Sequence, residues 1–162
     1  MASEAAESGP PETSFMSARY LFDTNVLVYA EDADEPAKCG RARDLIADLV
    51  LRDAGVVSSQ VLAEFFVTVT RRFAKRLDGA EASKRLEQLV DLFPVLDVNA
   101  DVVREAARGV ARYRMSFWDA QIWASARLAG VGTVLTEDLP GAGEIEGVRF
   151  ADPFAEGFSL EG

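Results

Sequence analysis

The apolar positions of this 162-residue chain alternate between short continuous runs and longer stretches with helical spacing. Short continuous runs are typical of strands buried on both faces of a parallel sheet. They predict strands within residues 20–23, 55–58, 94–98, 132–136 and 148–151. Helical periodicity occupies residues 36–53, 60–76, 80–92, 100–112 and 117–129. This alternation predicts an α/β fold, a three-layer α/β/α sandwich with a central parallel sheet of four or five strands.

The two ends of the chain depart from this pattern. Residues 1–17 contain few apolar positions and a Gly-Pro-Pro segment, so we predict a disordered tail there. One domain is predicted for residues 18–154, and a short tail for residues 155–162. The chain shows no signal peptide and no apolar run long enough to span a membrane, which predicts a cytoplasmic protein without a membrane partner.

The histidine and cysteine content limits the possible chemistry. The chain has no histidine, which excludes histidine general acid–base catalysis, Ser-His-Asp triads and histidine-ligated zinc. Its one cysteine, Cys39, excludes an intramolecular disulfide and a cysteine-based metal site. Any catalysis must therefore depend on other side chains.

The net charge of −10 argues at first against a nucleic-acid partner. However, all 17 basic residues lie between Arg19 and Arg149, whereas six of the acids lie in the two terminal segments. The middle of the chain is therefore closer to neutral and does not exclude phosphate binding. Two basic groups, Arg71 to Arg76 and the helical stripe Arg104, Arg108 and Arg112, are compatible with solvated helix faces or with RNA contact.

Asp23 follows the first predicted strand directly. In parallel sheets, ligands collect beyond the carboxyl ends of the strands, which is where this side chain is expected. The alternative is an Asp that begins a turn or caps the next helix. The fourth strand also runs into acids, since Thr136 is followed by Glu137 and Asp138.

Two further acids interrupt apolar helices near their first turns. Glu64 lies among apolar residues, where an ionised carboxylate is costly unless it is paired or binds a cation. The alternative to cation binding by Glu64 is a favourable interaction with the helix dipole. Asp119 lies three residues after the cap residue Ser116, so its alternative to cation binding is a capping box.

The predicted topology brings these acids to one edge of the sheet. Carboxylates that converge repel one another and raise some of their own pKa values unless cations are present. Sites made only of oxygen ligands suit Mg²⁺ or Mn²⁺, which bridge to substrate phosphates. The sequence therefore predicts phosphodiester hydrolysis by metal-activated water, with Asn25 and Thr136 as supporting hydrogen-bonding groups.

Four short motifs, in this order, resemble those of the PIN-domain ribonucleases, and most of all the VapC-type toxins of toxin–antitoxin pairs. They are Phe22-Asp23-Thr24-Asn25-Val26-Leu27, Leu62-Ala63-Glu64-Phe65, Ser116-Phe117-Trp118-Asp119-Ala120 and Leu135-Thr136-Glu137-Asp138-Leu139. Each motif alone is weak, but four in order are fairly specific.

The resemblance implies a magnesium-dependent endoribonuclease, often a homodimer, that is inhibited by a small antitoxin covering the acidic cleft. Carried over by residue, it implies metal-binding roles for the acids Asp23, Glu64, Asp119 and Asp138. It implies supporting roles for the hydroxyl of Thr136 and for Asn25. Glu137 adjoins Asp138 but points the other way if the alternation of the strand continues.

Other readings of the same pattern are weaker or remain open. A haloacid-dehalogenase-type phosphatase requires a second acid two residues after Asp23, where this chain has Asn25. A receiver domain requires an early acidic pair and a lysine after a late strand, and the lysines here are misplaced for that role. The alternative to the enzyme is a non-catalytic PIN-like domain that binds RNA or serves as a scaffold, which a shared fold cannot exclude.

Overall fold

The computed structural model describes residues 19–138 and 143–161. The predicted tail at residues 1–17 lies outside the described residues. The strands are β1 (Tyr20–Phe22), β2 (Gly55–Ser58), β3 (Val95–Leu96), β4 (Thr133–Leu135), β5 (Glu144–Ile145) and β6 (Val148–Ala151). The helices are α1 (Thr24–Tyr29), α2 (Pro36–Leu51), α3 (Ser59–Arg71), α4 (Gly79–Leu92), α5 (Ala100–Tyr113) and α6 (Phe117–Leu128).

The strands form one sheet in the order β3-β2-β1-β4-β6-β5. Each neighbouring pair is parallel except β5 with β6. The predicted α/β fold with a central, mostly parallel sheet is confirmed. The sheet differs from the expected four or five strands because the two-residue strand β5 adds an antiparallel edge to β6, and so short a segment gives no clear period in the sequence.

The centre of the sheet is fully buried, as continuous apolar strands require. Leu21 in β1 pairs with Val56 in β2 and with Val134 in β4, and all three side chains are buried. Beyond β1, the apolar run does not continue as a strand. Val26 and Leu27 belong to the short helix α1 and are buried by it.

Close packing between α5 and α6 fixes the position of α6. A side chain at Gly109 of α5 would bring its Cβ to 2.9 Å from Cζ3 of Trp123, a buried residue of α6. The indole nitrogen of Trp123 also donates to the carbonyl of Ile145 at 3.0 Å. The helix that begins near Asp119 is therefore held rigidly on the sheet.

Helix boundaries agree with the sequence to within a few residues, with one larger difference. The helix predicted to reach residue 76 ends at Arg71, and Arg72 is its C-terminal cap. At the other end of the chain, residues 155–161 form no helix or strand, but Phe158 and Leu160 pack against the core. Among the described residues, no helix is long and apolar enough to cross a membrane.

Candidate functional site

A groove of about 990 Å³ opens at the carboxyl ends of β1 and β4. Parallel sheets bind ligands at this edge. The four acids singled out from the sequence all line it: Asp23, Glu64, Asp119 and Asp138. The rest of its lining comes mainly from α1, from one face of α3 and from the first turns of α6.

Asp23 is both a helix cap and a groove residue. Its Oδ1 accepts a hydrogen bond of 2.6 Å from the backbone nitrogen of Thr24, the first residue of α1. Its own backbone nitrogen donates to the carbonyl of Leu135 at 2.9 Å, which ties it to the end of β4. The two alternatives for this acid are therefore compatible, because one carboxylate oxygen caps the helix and the other faces the neighbouring strand end.

The hydroxyl of Thr136 links three of the groove residues. It donates to Oδ2 of Asp23 at 2.7 Å and accepts from the backbone nitrogen of Asp138 at 3.0 Å. It also accepts from Nδ2 of Asn25 at 3.2 Å, and the same amide nitrogen lies 3.3 Å from Oδ2 of Asp138. A hydroxyl has one donor and two acceptor positions, so Thr136 is fully used.

Glu64 lies on the face of α3 that lines the groove, and it is not enclosed by apolar residues. Its Oε2 accepts from the hydroxyl of Thr24 at 2.7 Å, and its Oε1 accepts from Nε2 of Gln60 at 2.9 Å. The exposed residues Ala63 and Val67 flank it. Glu64 is therefore half-buried, because the apolar positions around it divide between the core and the groove.

A pair of glutamines that the sequence analysis did not single out supports Glu64. Gln60 is buried, and its Oε1 accepts from Nε2 of Gln121 on α6 at 2.8 Å. Gln60 also donates to the carbonyl of Trp118 at 3.2 Å, so it connects α3 with the first turn of α6. The available signal was spacing, because Gln60 precedes Glu64 by four residues and therefore shares its helix face.

Asp119 is turned towards its own helix cap. Ser116 accepts from the backbone nitrogen of Asp119 at 3.1 Å, and its hydroxyl donates to Oδ2 of Asp119 at 2.7 Å. The Ser116 half of the capping box is thus present, but the carboxylate of Asp119 bonds to the hydroxyl of Ser116 and not to its backbone nitrogen. Asp119 also lines the groove.

The four carboxylates share the groove without forming a compact cluster. Within residues 19–138 and 143–161, no three acidic side chains are gathered closely enough to hold a metal ion. This differs from the close convergence that the sequence suggested. The physical reason is that like charges repel, and each acid is instead held by neutral hydrogen-bond donors of its own.

The pKa of Asp23 is raised in this arrangement. Burial raises the pKa of Asp23 to about 6, against the lowering effect of the hydrogen bonds from Thr136 and Thr24. The charges of Glu64 and Asp119 raise this pKa further. A positive charge in the groove would reverse each of the raising effects, since it favours ionised carboxylates.

The groove residues fit a hard divalent cation. They offer only oxygen ligands, and no Lys or Arg among the described residues forms an ion pair with any of the four acids. Mg²⁺ and Mn²⁺ prefer such ligands and keep part of their water shell. Asp119 would have to turn away from Ser116 to take part.

Glu137 lies outside the groove lining and points towards α2. Its carboxylate contacts Nζ of Lys38, which also donates to the hydroxyl of Tyr29 at 3.1 Å. Burial pushes the pKa of Glu137 up, but the hydrogen bonds from Lys38 and Tyr29 outweigh it and leave this pKa below its usual value. The backbone nitrogen of Glu137 also donates to Oδ1 of Asn25 at 3.3 Å. The opposite orientation expected for Glu137 is therefore what the structure shows.

The basic residues divide into two groups. Arg72 lines the groove. Arg104 pairs with Asp101, while Arg108 pairs with Glu105 and Glu146, away from the groove. The stripe on α5 is therefore mainly used in ion pairs within the protein.

Comparison with known proteins adds a family. Residues 20–139 match the PIN domain family. Among curated protein sequences, none is significantly similar to this chain.

Several solved structures have the same fold. VapC20 of Mycobacterium tuberculosis, described as a Sarcin-Ricin loop cleaving toxin, is 23% identical with a TM-score of 0.61, over 74% of this chain and 89% of that one. VapBC2 of Rickettsia felis, bound to a DNA fragment from its promoter, is 17% identical with a TM-score of 0.59, over 82% and 96%. FitAB bound to an IR36 DNA fragment is 24% identical with a TM-score of 0.62, over 88% and 98%.

Proposed function

Because this chain belongs to the PIN domain family, we propose that it is a Mg²⁺- or Mn²⁺-dependent endoribonuclease and the toxin of a toxin–antitoxin pair. One observation carries the proposal. The groove at the carboxyl edge of the sheet is lined by five carboxylates that have no basic partner among the described residues: Asp32 and the four acids predicted from the sequence, of which Asp23 has a raised pKa. Such a groove suits a divalent cation and the phosphate that the cation binds.

In this proposal Asp23, Glu64, Asp119 and Asp138 hold the cation and are the catalytic residues. When bound, the cation lowers the pKa of water and offsets the negative charge that develops on the phosphate. Thr136 and Asn25 orient Asp23 and Asp138 through the hydrogen bonds described above. Gln60 and Thr24 do the same for Glu64.

The proposal of a toxin is supported by the structural neighbours. VapBC2 and FitAB are complexes, and both were solved with DNA. By analogy, we propose a small cognate antitoxin that covers the groove, a homodimer of this chain, and action on RNA in the cytoplasm. A short open reading frame directly upstream of this gene should encode the antitoxin, and coexpression of that protein should suppress RNA cleavage.

The test of the enzymatic function is RNA cleavage with and without chelation. The purified protein is incubated with a panel of structured and unstructured RNAs in Mg²⁺ or Mn²⁺, and again with excess EDTA. We expect cleavage products that disappear on chelation and return when metal is restored. RNA binding without any cleavage in either metal would instead indicate a non-catalytic RNA-binding domain.

A further inference from the structure

Trp118 lines the groove, and most of its side chain is exposed to solvent. Its side chain is 62% exposed, whereas Trp123 on the same helix is completely buried. Trp118 directly precedes Asp119 and lines the groove. A large aromatic ring that is exposed beside a polar groove is available to stack on a ligand that enters the groove.

Two contacts hold Trp118 in place. Its carbonyl accepts the 3.2 Å hydrogen bond from Gln60, the residue that also holds Glu64. Its ring packs against Phe117 in a T-shaped arrangement, with centroids 5.5 Å apart and an interplanar angle of 78°. Gln60 thus fixes the backbone of Trp118 as well as one of the groove acids, while the indole contacts only the ring of Phe117 among these groups and remains mostly in solvent.

Arg72 provides a positive charge at a different point of the groove. Residues 60, 64, 68 and 72 recur every four positions, and all of them line the groove. At 1.5 Å per residue, Arg72 lies about 18 Å along α3 from Gln60, with Glu64 between them. Among the described residues, the guanidinium of Arg72 makes no ion pair, and only the backbone nitrogen of Arg72 has a hydrogen-bond partner, the carbonyl of Thr68 at 2.9 Å.

We propose that Trp118 and Arg72 form two ends of a binding track for an unpaired RNA strand. A base stacks on the indole of Trp118, and a phosphate further along the same strand pairs with Arg72. Along α3, Glu64 lies between Gln60, which contacts Trp118, and Arg72. The proposal rests on RNA being the substrate, as argued above, and adds which residues of this chain select an unpaired strand and fix its position.

The charge pattern of the groove favours RNA over a protein partner. The exposed ring of Trp118 matches a base, and the guanidinium of Arg72 matches a phosphate of the same strand. The carboxylates suit a divalent ion, which can bind a further phosphate. A base paired in a duplex has both faces covered, so stacking on Trp118 requires a base that is free. Three exposed basic residues nearby strengthen the positive potential at the Arg72 end of the groove: Arg71, Lys75 and Arg76.

The test measures RNA binding in EDTA, so that it does not depend on cleavage. The probe is a short unstructured oligoribonucleotide with a fluorescent label, and affinity is read from its anisotropy. Trp118→Ala should weaken binding about 5- to 100-fold, the range that base–aromatic stacking covers, while Trp118→Phe keeps most of the affinity. Leu128→Ala, a matched loss of an exposed apolar side chain on α6, should leave it unchanged.

Arg72 is tested by the salt dependence of the same binding. Arg72→Ala should make the slope of log affinity against log salt less steep by about 0.7, the value for one phosphate contact on a single strand. Arg71→Ala removes the same charge one residue away, outside the groove lining, and should change the slope less. Trp118→Ala should weaken affinity without changing the slope.

A second measurement separates stacking from folding effects. Because the chain has two tryptophans and Trp123 is buried, RNA that stacks on Trp118 should quench the exposed part of the tryptophan emission. Oligoribonucleotides with single abasic positions should reveal one position whose base matters for the wild type and no longer matters for Trp118→Ala. Loss of both signatures in a folded Trp118→Ala protein supports the track.

Equal RNA affinity for wild type, Trp118→Ala and Leu128→Ala would overturn the proposal and would leave the exposed ring for a protein partner. That result would not affect the proposed function if cleavage remains dependent on metal. Conversely, stacking on Trp118 without any metal-dependent cleavage would support the track and refute the nuclease.

Discussion

Two very different groups of acids lie near the two ends of helix α6. In its first turn Asp119 joins the groove, where the acids are held by hydroxyl, amide and backbone groups. Near its last turn Arg127 pairs with Glu105 and Glu146, and Arg108 of α5 pairs with the same two acids. We call this second group the ion-pair cluster. The hydroxyl of Tyr113 also donates to Glu146.

The pKa of Asp23 in the groove and the pKa of Glu146 in the ion-pair cluster shift in opposite directions. Burial raises the pKa of Asp23 to about 6 in the groove. The hydrogen bond from Arg108, and then that from Tyr113, lowers the pKa of Glu146 to about 2. The ion-pair cluster neutralises itself with the arginines of the chain, whereas the groove acids have no such partner among the described residues. Acids left unpaired at a ligand-binding edge are the ones that need a cation from outside.

The largest expected difference between the two groups is in RNA cleavage. Asp23→Asn and Glu146→Gln each replace a carboxylate by an amide of nearly the same shape. We expect Asp23→Asn to reduce cleavage at least about 1,000-fold, equivalent to about 4 kcal/mol, because the amide is a poor ligand for the cation. Glu146→Gln should retain activity. Rates are compared in the same Mg²⁺ buffer, and equal cleavage by Asp23→Asn and wild type would contradict the site.

The next effect is the response of stability to metal. A cation that binds only the folded state raises the free energy of unfolding by about 2.7 kcal/mol at a concentration of 100 times its Kd. We expect this gain for the wild type and for Glu146→Gln, and its loss for Asp23→Asn. Denaturant titrations with Mg²⁺, with Mn²⁺ and with EDTA measure it. A wild-type protein whose stability ignores millimolar metal has no metal site of this kind.

Without metal, Asp23→Asn should make the protein more stable. The folded pKa of Asp23 lies above its unfolded value of 3.8, so this group favours folding most below pH 4, and that stabilisation is lost as the pH rises towards 6. Ionisation of Asp23 in the folded state costs about 3 kcal/mol of stability at high pH, and Asp23→Asn avoids this cost because the amide carries no charge. The variant loses about 1 kcal/mol because its hydrogen bond with Thr136 is weaker.

The measurement is unfolding in EDTA at pH 4 and at pH 8. The advantage of Asp23→Asn over wild type should be about 2 kcal/mol at pH 8 and small at pH 4. Glu146→Gln provides the opposite sign, because a lowered pKa means that the ionised acid stabilises the fold at neutral pH, and its removal should destabilise the protein. A wild type more stable than Asp23→Asn at pH 8 in EDTA would show that the raised pKa is misassigned.

The smallest effect concerns Lys38 and Glu137, which hold the segment that carries Asp138. Nζ of Lys38 lies over the rings of Tyr29 and Phe154, and Lys38→Met keeps an unbranched side chain beside these rings while it removes the charge and the contact with Glu137. We expect about 10-fold weaker metal binding, at the low end for partners that orient a ligand.

Arg104→Met is the matched control for this variant, since it breaks an exposed ion pair with Asp101 far from the groove. The charge-swapped protein with Lys38→Glu and Glu137→Lys should recover part of the lost affinity. Isothermal titration with Mn²⁺ gives the affinities directly. Lys38→Met with the affinity of wild type would mean that Asp138 is positioned without this contact.

The sequence predicted most of the fold because its patterns are strong. The strand at Gly55–Ser58 was predicted with the correct bounds, since a β-branched run ends there in a serine. The short helix α1 was missed, because its residues Val26 and Leu27 continue the apolar run of β1 without any change in composition. The two-residue strand β5 is too short to have a period.

The site was predicted as a set of acids but not as a geometry. Sequence order and topology placed Asp23, Glu64, Asp119 and Asp138 at one groove. Nothing in the sequence showed that Thr24 holds Glu64, and the sequence left open whether Asp119 bonds to Ser116 or joins a tight cluster. The contact between Thr24 and Glu64 depends on where side chains meet across elements that are 40 residues apart.

The sequence by itself determined the elements, their buried faces and the chemistry that is possible without histidine, because these follow from local periodicity and residue type. Tertiary structure alone decided which acids have arginine partners and which do not. Glu146 and Asp23 are similar residues at strand ends or turns, and only their neighbours in space give them opposite pKa shifts. Electrostatic energy depends on distance and burial, and neither can be read from sequence separation.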